Sequence, residues 1–135
     1  MQTDPCKAIL GRWRLVHSVE FGRGGDKRYP LGEDAIGCIS YSEASMMAVQ
    51  IGRRARAPIG ANGVVDRKDY LAYFGRYWLN TENAVIHHQL EQQLFPGTYP
   101  DDLKRKYRFF DDKLLLEPLD EKDHEILWQR ATARA

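Results

Sequence analysis

The stretch "LKRKYRFFDDKLLLEPLDEKDHEILWQRA", residues 103–131, decides the fold. It divides into three short runs, 103–110, 113–119 and 124–131, separated only by "DD" and "DEKD". In the first run Leu103, Arg105, Tyr107 and Phe109 alternate with Lys104, Lys106, Arg108 and Phe110. A period of two sends alternate residues to opposite faces of a strand. Links this short join antiparallel neighbours and leave no room for crossover helices. The more apolar set, led by Leu103 and Phe109, is expected inside, which carries Arg105 and Tyr107 inward with it.

The same grammar extends towards the N-terminus. "AILGRWRLVHSVEF" (8–21) alternates from Trp13 onward, so Trp13, Leu15, His17, Val19 and Phe21 are expected on one face. "GRGGDKRYPLG" (22–32) reads as a turn region. "IGCISYS" (36–42) and "MMAVQI" (46–51) read as a hairpin. "GRRARAPIGANGVVDRK" (52–68) breaks the pattern with a basic, irregular segment, and "VVDRKDY" (64–70) predicts a short helix there. "YLAYFGRYWLN" (70–80) is an aromatic strand, "TEN" a turn, and 84–94 a further strand. Together these predict about eight to ten short strands at regular spacing. The expected fold is all-β: one domain over residues 1–135, a single antiparallel up-and-down β-barrel. Closing the sheet removes its exposed edges.

Composition narrows the function. Twenty Lys plus Arg against 19 Asp plus Glu give a net charge of +1, too balanced for a general nucleic-acid binder. No apolar run approaches the roughly 20 residues of a membrane span, and the N-terminal residues lack the pattern of a secretion signal. Cys6 and Cys38 are the only cysteines, with no C-x-x-C pair. Two isolated thiols point to reduced cysteines and a cytoplasmic location rather than a disulfide framework or thiolate zinc site.

Gly11-x-Trp13 in "LGRWRLV" and Trp128 with Arg130 in "LWQRA" carry a family resemblance. With "YPLG" (29–32), "GCISYS" (37–42), "MMAVQI", "YLAYFGRYWLN" and "VIHH" (85–88), they resemble the bacterial and fungal lipocalin-like domain family over nearly the whole chain. The resemblance implies a small lipocalin-like barrel with an interior for a small molecule. It also implies structural closure of one end by Gly11, Trp13, Trp128 and Arg130, with the base packed over the indole of Trp13. Two features depart from the pattern: the segment between 51 and 70 is short and basic, and "HHQLEQQLFPG" is one residue long, as a bulge would make it.

Six residues are candidates for ligand contact. Arg105 and Tyr107 have the spacing with which intracellular fatty-acid-binding barrels hold a carboxylate, a guanidinium fork plus a phenol. The alternatives are an internal carboxylate partner or a reach to solvent, because an unpaired buried charge is costly. Tyr73 and Tyr77 share a face with Gly75 between them, which marks that face as the inner one. They are either core aromatics with satisfied hydroxyls or ligand contacts. His87 and His88 are neighbours on one strand, so one points in and the other out. The resemblance favours His87 inside, beside the tyrosines. His17 is the sixth candidate. No spacing of histidines or carboxylates makes a metal motif, and no cofactor or metal is expected. The basic "RRARAP" (53–58) is either a solvated loop or an entrance lining that attracts anions.

Three functions fit this reading. The first is binding of a small hydrophobic or amphipathic molecule with a carboxylate or other polar end, by a monomer or homodimer. The second is an isomerase or cyclase acting on a polyketide-like or terpenoid compound. The third is a packed barrel serving as an interaction module.

Overall fold

A computed structural model describes residues 4–58, 67–121 and 123–132. Among these residues nine strands follow in order: β1 Gly11–Phe21, β2 Lys27–Arg28, β3 Ile36–Tyr41, β4 Met46–Gly52, β5 Tyr70–Asn80, β6 Val85–Gln93, β7 Asp102–Phe110, β8 Lys113–Pro118 and β9 His124–Arg130. Every pairing is antiparallel between chain neighbours, except that β1 skips to β3 and also pairs with β9. That last pairing, from Trp13 opposite Arg130 to Glu20 opposite His124, closes an eight-stranded barrel. The short β2 lies outside the ring as a flap on the end of β1. Of the expected 64–70 helix, 64–66 lie outside the described residues, Arg67–Asp69 form a single 3-10 turn, and Tyr70 already belongs to β5.

Alternation inside the ring is interrupted twice, and both interruptions matter to the site. On β1 the register slips between Leu15 and His17. One extra residue reverses the parity of everything after it. Trp13 and Leu15 face the core as expected, but beyond Val16 it is Ser18 and Glu20 that turn inward, while His17, Val19 and Phe21 turn out. The predicted common face of these residues is therefore split.

The second slip lies between Phe74 and Gly75 of β5, where Gly75 opposes Leu90 and Phe74 opposes Gln92, leaving Glu91 as the extra residue of β6. This is the additional residue read from "HHQLEQQLFPG". A Cβ on Gly75 would lie 1.9 Å from the Gln89 carbonyl oxygen and 2.8 Å from the Glu91 nitrogen. Only glycine lets the bulged strand approach so closely.

One end of the barrel is plugged. A one-turn helix, α1 (Pro5–Ala8), is capped by the Asp4 side chain, and Ile9 behind it is fully buried. The Trp13 indole donates to the Ile9 carbonyl at 3.0 Å. The Arg130 guanidinium stacks 4.0 Å over the Trp13 ring and donates to the carbonyls of Leu10, at 2.6 Å, and Ala8. Gly11 has φ +110°, and any Cβ there would meet Arg130 Nη1 at 3.1 Å. The G-x-W spacing thus has a physical reading: glycine admits the arginine that seals the tryptophan. Trp128 is equally buried, and its indole N–H has no acceptor among the described residues. Aromatic and aliphatic side chains, among them Tyr41, Ile39, Leu114 and Leu116, fill this half solidly.

Candidate ligand-binding site

The other half of the barrel is hollow. A cavity of about 560 Å³ opens between the end of β1, the 28–31 segment, the start of β5, the 93–99 segment and the β8–β9 turn. Its wall is largely apolar and aromatic, with Leu31, Ile51, Leu71, Ile126, Tyr70 and Tyr99 among the lining residues. Polar and charged side chains, among them Ser18, Glu20, Arg28, Glu121 and His124, gather towards its mouth, and Arg105 lies on its wall.

Arg105 is the deep polar group. Strand β7 alternates as predicted, with Leu103, Arg105 and Tyr107 buried and Lys104, Lys106 and Arg108 exposed. Arg105 is only 6 % exposed, yet it lines the cavity. Its charge acts on the buried Tyr73 hydroxyl, whose pKa it lowers against the rise that burial imposes. No carboxylate among the described residues lies within ion-pairing distance of it.

Behind Tyr73 runs a buried chain. The Tyr73 hydroxyl lies 2.8 Å from His88 Nδ1, and His88 Nε2 lies 2.7 Å from the Tyr41 hydroxyl. His88 thus bridges the two phenols, one ring nitrogen donating to a hydroxyl oxygen and the other accepting a hydroxyl proton. Burial, and then the positive charge of Arg105, hold the His88 pKa well below 6.5, so the ring is neutral. Burial likewise raises Tyr41 and Tyr73, opposed in both by Arg105. All members of the chain therefore keep their protons at neutral pH except the imidazole, which has one N–H and one acceptor nitrogen.

This arrangement corrects the histidine assignment. His88, fully buried, faces inward with Ile86 and Leu90, and His87 faces outward. His87 stacks on Trp78 at 3.7 Å and 9° and has Nδ1 3.1 Å from Asp102. His17 is also turned out, by the β1 bulge, and sits 2.9 Å from Glu125. Tyr73 and Tyr77 do face inward, but neither lines the cavity. Tyr77 donates to the Ser42 carbonyl at 2.9 Å. Tyr107 lies in the packed half: burial raises its pKa first, then the nearby Cys6 and Asp4 of the plug. The Arg-x-Tyr spacing thus points its two members to different ends of the barrel, because two residues along a strand advance it by about 7 Å. The phenols on which the Arg105 charge acts, Tyr73 and Tyr41, come from β5 and β3 instead.

The mouth carries residues that periodicity did not single out. The Ser18 hydroxyl lies 2.9 Å from His124 Nε2, and Glu121 lies 2.5 Å from Nδ1 of the same ring. Glu20 accepts from Arg28 Nε at 3.1 Å. One donor atom each from Glu20, Glu121 and His124 lie within 4.8 Å of one another, but both histidine nitrogens and the Glu20 carboxylate already have protein partners. Tyr99 comes from the "PGTYPDD" loop, which has no periodic signal. In the basic segment, Arg53 pairs with Asp69 at 3.0 Å, Arg54 bonds the Asp34 carbonyl at 3.1 Å, and Arg56 lies over Tyr70. None of residues 53–58 lines the cavity.

Comparison with known proteins agrees with this architecture. The sequence model of the family described as a lipocalin-like domain matches residues 10–134. Among solved structures, the chain is similar to a lipocalin-like protein from Bacteroides uniformis ATCC 8492, with a TM-score of 0.53 and 13 % identity over 92 % of this chain and 99 % of that one. At that identity the likeness concerns the fold alone. No curated protein matches the sequence significantly.

Proposed function

This chain belongs to the lipocalin-like domain family, and from that premise we propose that its barrel binds a small hydrophobic or amphipathic molecule through a carboxylate held by Arg105. The observation that carries this reading is a buried guanidinium on the wall of a largely apolar cavity, with no carboxylate partner among the described residues. A buried charge without a counter-charge is expensive, and a ligand acid entering the cavity supplies one. The apolar wall contributes affinity, and Arg105 fixes the direction of the ligand. The exposed thiols of Cys6 and Cys38 fit a reducing compartment such as the cytoplasm, and the balanced charge fits a partner other than nucleic acid.

The test is a fluorescence titration with a conjugated polyene acid. Wild type is expected to bind saturably, and Arg105→Leu to weaken binding by about 1.5–3 kcal/mol. Tyr107→Phe serves as the control and leaves affinity unchanged, its hydroxyl being away from the cavity. Equal affinity of wild type and Arg105→Leu would remove the arginine from the site.

A second reading, acid–base chemistry by an isomerase or cyclase, draws support from one observation. His124 lines the cavity between Ser18 and Glu121, whereas His88 is sealed behind Tyr73. If the barrel turns over a polyketide-like or terpenoid compound, His124→Gln abolishes turnover and spares binding. The hollow half of the barrel speaks against a solidly packed interaction module.

A further inference from the structure

The geometry of the cavity points to one class of ligand: we propose a compact, planar, ring-bearing carboxylic acid, inserted acid first, with Tyr99 as the second anchor beside Arg105. The inference rests on the Arg105 reading above and deepens it. Three observations carry it.

The first concerns the Tyr99 hydroxyl. Tyr99 lines the cavity, and no described residue hydrogen-bonds to its hydroxyl. Arg105 lines the same cavity, and the Tyr99 ring packs edge-on to Tyr73, the phenol on which the Arg105 charge acts, with centroids 5.7 Å apart. A phenol and a guanidinium therefore face one cavity, the phenol with no hydrogen-bond partner among the described residues. Burial, helped by the neighbouring Tyr73 and by the Glu121 carboxylate, pushes the Tyr99 pKa up to about 12, against the opposing charge of Arg105. It remains an O–H donor at any physiological pH.

Second, the aromatic wall is fixed in place. Tyr99 belongs to a loop, but the Gln93 side chain clamps its backbone at both groups: the Tyr99 N–H donates to Oε1 at 2.9 Å, and Nε2 donates to the Tyr99 carbonyl at 3.1 Å. Tyr70 lies against Gly52, close enough that a Cβ there would meet its ring at 2.8 Å, and the Arg56 guanidinium sits 4.8 Å over its ring. Tyr29 and Phe95 complete the ring-lined part of the wall. Pre-set rings favour a rigid planar guest, which stacks without freezing torsions of its own.

Third, the inner end carries a cation. Arg105 is almost fully buried, and behind it Tyr73, His88 and Tyr41 fill the barrel. A ligand acid must therefore enter first, with the rest of the molecule held in a cavity of about 560 Å³. A fused ring lies there among the tyrosines without ordering torsions of its own, whereas a flexible chain loses conformational freedom at every bond it fixes.

The experiment is isothermal titration of the full chain with naphthoic acid and with undecanoic acid, which has the same number of carbons. Wild type, Tyr99→Phe and Tyr99→Leu are compared, each checked for fold by circular dichroism. Wild type is expected to bind naphthoic acid about tenfold more tightly than undecanoic acid. Tyr99→Phe weakens both acids by roughly fivefold, because only the hydroxyl is lost. Tyr99→Leu additionally erodes the preference for the ring. Undecanoic acid binding as tightly as naphthoic acid, with the Arg105 dependence intact, would overturn the ring-bearing class and leave the carboxylate reading standing. Unchanged affinities in Tyr99→Phe would overturn the second anchor. Failure of both acids to bind the folded protein would remove the Arg105 reading itself, and this inference with it.

Discussion

Replacing His88 with Phe tests the buried polar chain directly. The ring is fully buried and makes two hydrogen bonds, to Tyr73 and to Tyr41. Phenylalanine occupies similar space and makes neither. Tyr73 and Tyr41, both buried, each lose the one hydrogen-bond partner their hydroxyl has among the described residues. Stranding a buried hydroxyl costs about 1–3 kcal/mol, and two are stranded here. The expected destabilisation is about 2–6 kcal/mol at pH 8, measured by urea unfolding followed by circular dichroism. The pH dependence supplies an independent check. The His88 pKa is well below 6.5 in the folded barrel and returns to the ordinary value in the unfolded chain. As pH falls below 6.5 the unfolded chain takes up a proton that the native state refuses, so wild type loses stability towards acid. The slope reaches up to about 1.4 kcal/mol per pH unit until the lowered folded pKa is reached. His88→Phe lacks this contribution, so the gap between wild type and variant narrows steadily below pH 6.5. A loss under about 1 kcal/mol at pH 8, with a gap that does not vary with pH, would refute a neutral, doubly bonded imidazole. Adding Tyr41→Phe to His88→Phe should recover part of the loss, since it removes one of the two stranded hydroxyls.

Two further outcomes follow from the frame of the barrel. Gly75→Ala forces a Cβ to within 1.9 Å of a backbone oxygen that no side-chain rotation can move; the β6 bulge must shift, at a cost of about 3–5 kcal/mol in denaturant unfolding. A stable Gly75→Ala protein with a native-like spectrum would contradict the β5–β6 register. Arg130→Met removes the stack on Trp13 and two bonds to the plug carbonyls, and is expected to cost about 2–3 kcal/mol. Because these contacts lie in the packed half, ligand affinity at the cavity should survive in whatever fraction remains folded, as an equilibrium titration below the melting temperature will report.

Much of the site was within reach of sequence reasoning, and the misses have identifiable causes. Arg105 faces inward because its strand alternates without interruption from Leu103 to Phe109. Tyr73 and Tyr77 do the same on either side of Gly75. The histidine pair was a choice of parity, and flanking residues held the decisive signal: Ile86 and Leu90 accompany His88, whereas Val85 and Gln89 accompany His87. The apolar pair marks the inner face, and the resemblance outweighed it wrongly. His17 failed for another reason, since the slip at Val16 leaves no gap in the apolar spacing; residues on both faces of β1 become buried, Ser18 inside and Val19 outside.

By itself, the sequence determined the elements and their order: period-two strands, links too short for anything but antiparallel neighbours, and glycine, tryptophan and arginine at the positions that seal one end. These are local properties, set by backbone periodicity and by loop length. The tertiary structure alone decided which groups meet. The Arg105 charge acts on Tyr73, His88 joins Tyr73 to Tyr41, and Tyr99 arrives beside them from a loop, through contacts between residues 15 or more positions apart in the case of His88. Such meetings depend on where each strand sits against its neighbours, and a single extra residue in β1 or β6 reverses every side chain beyond it. Register is a property of the closed barrel, not of any strand within it.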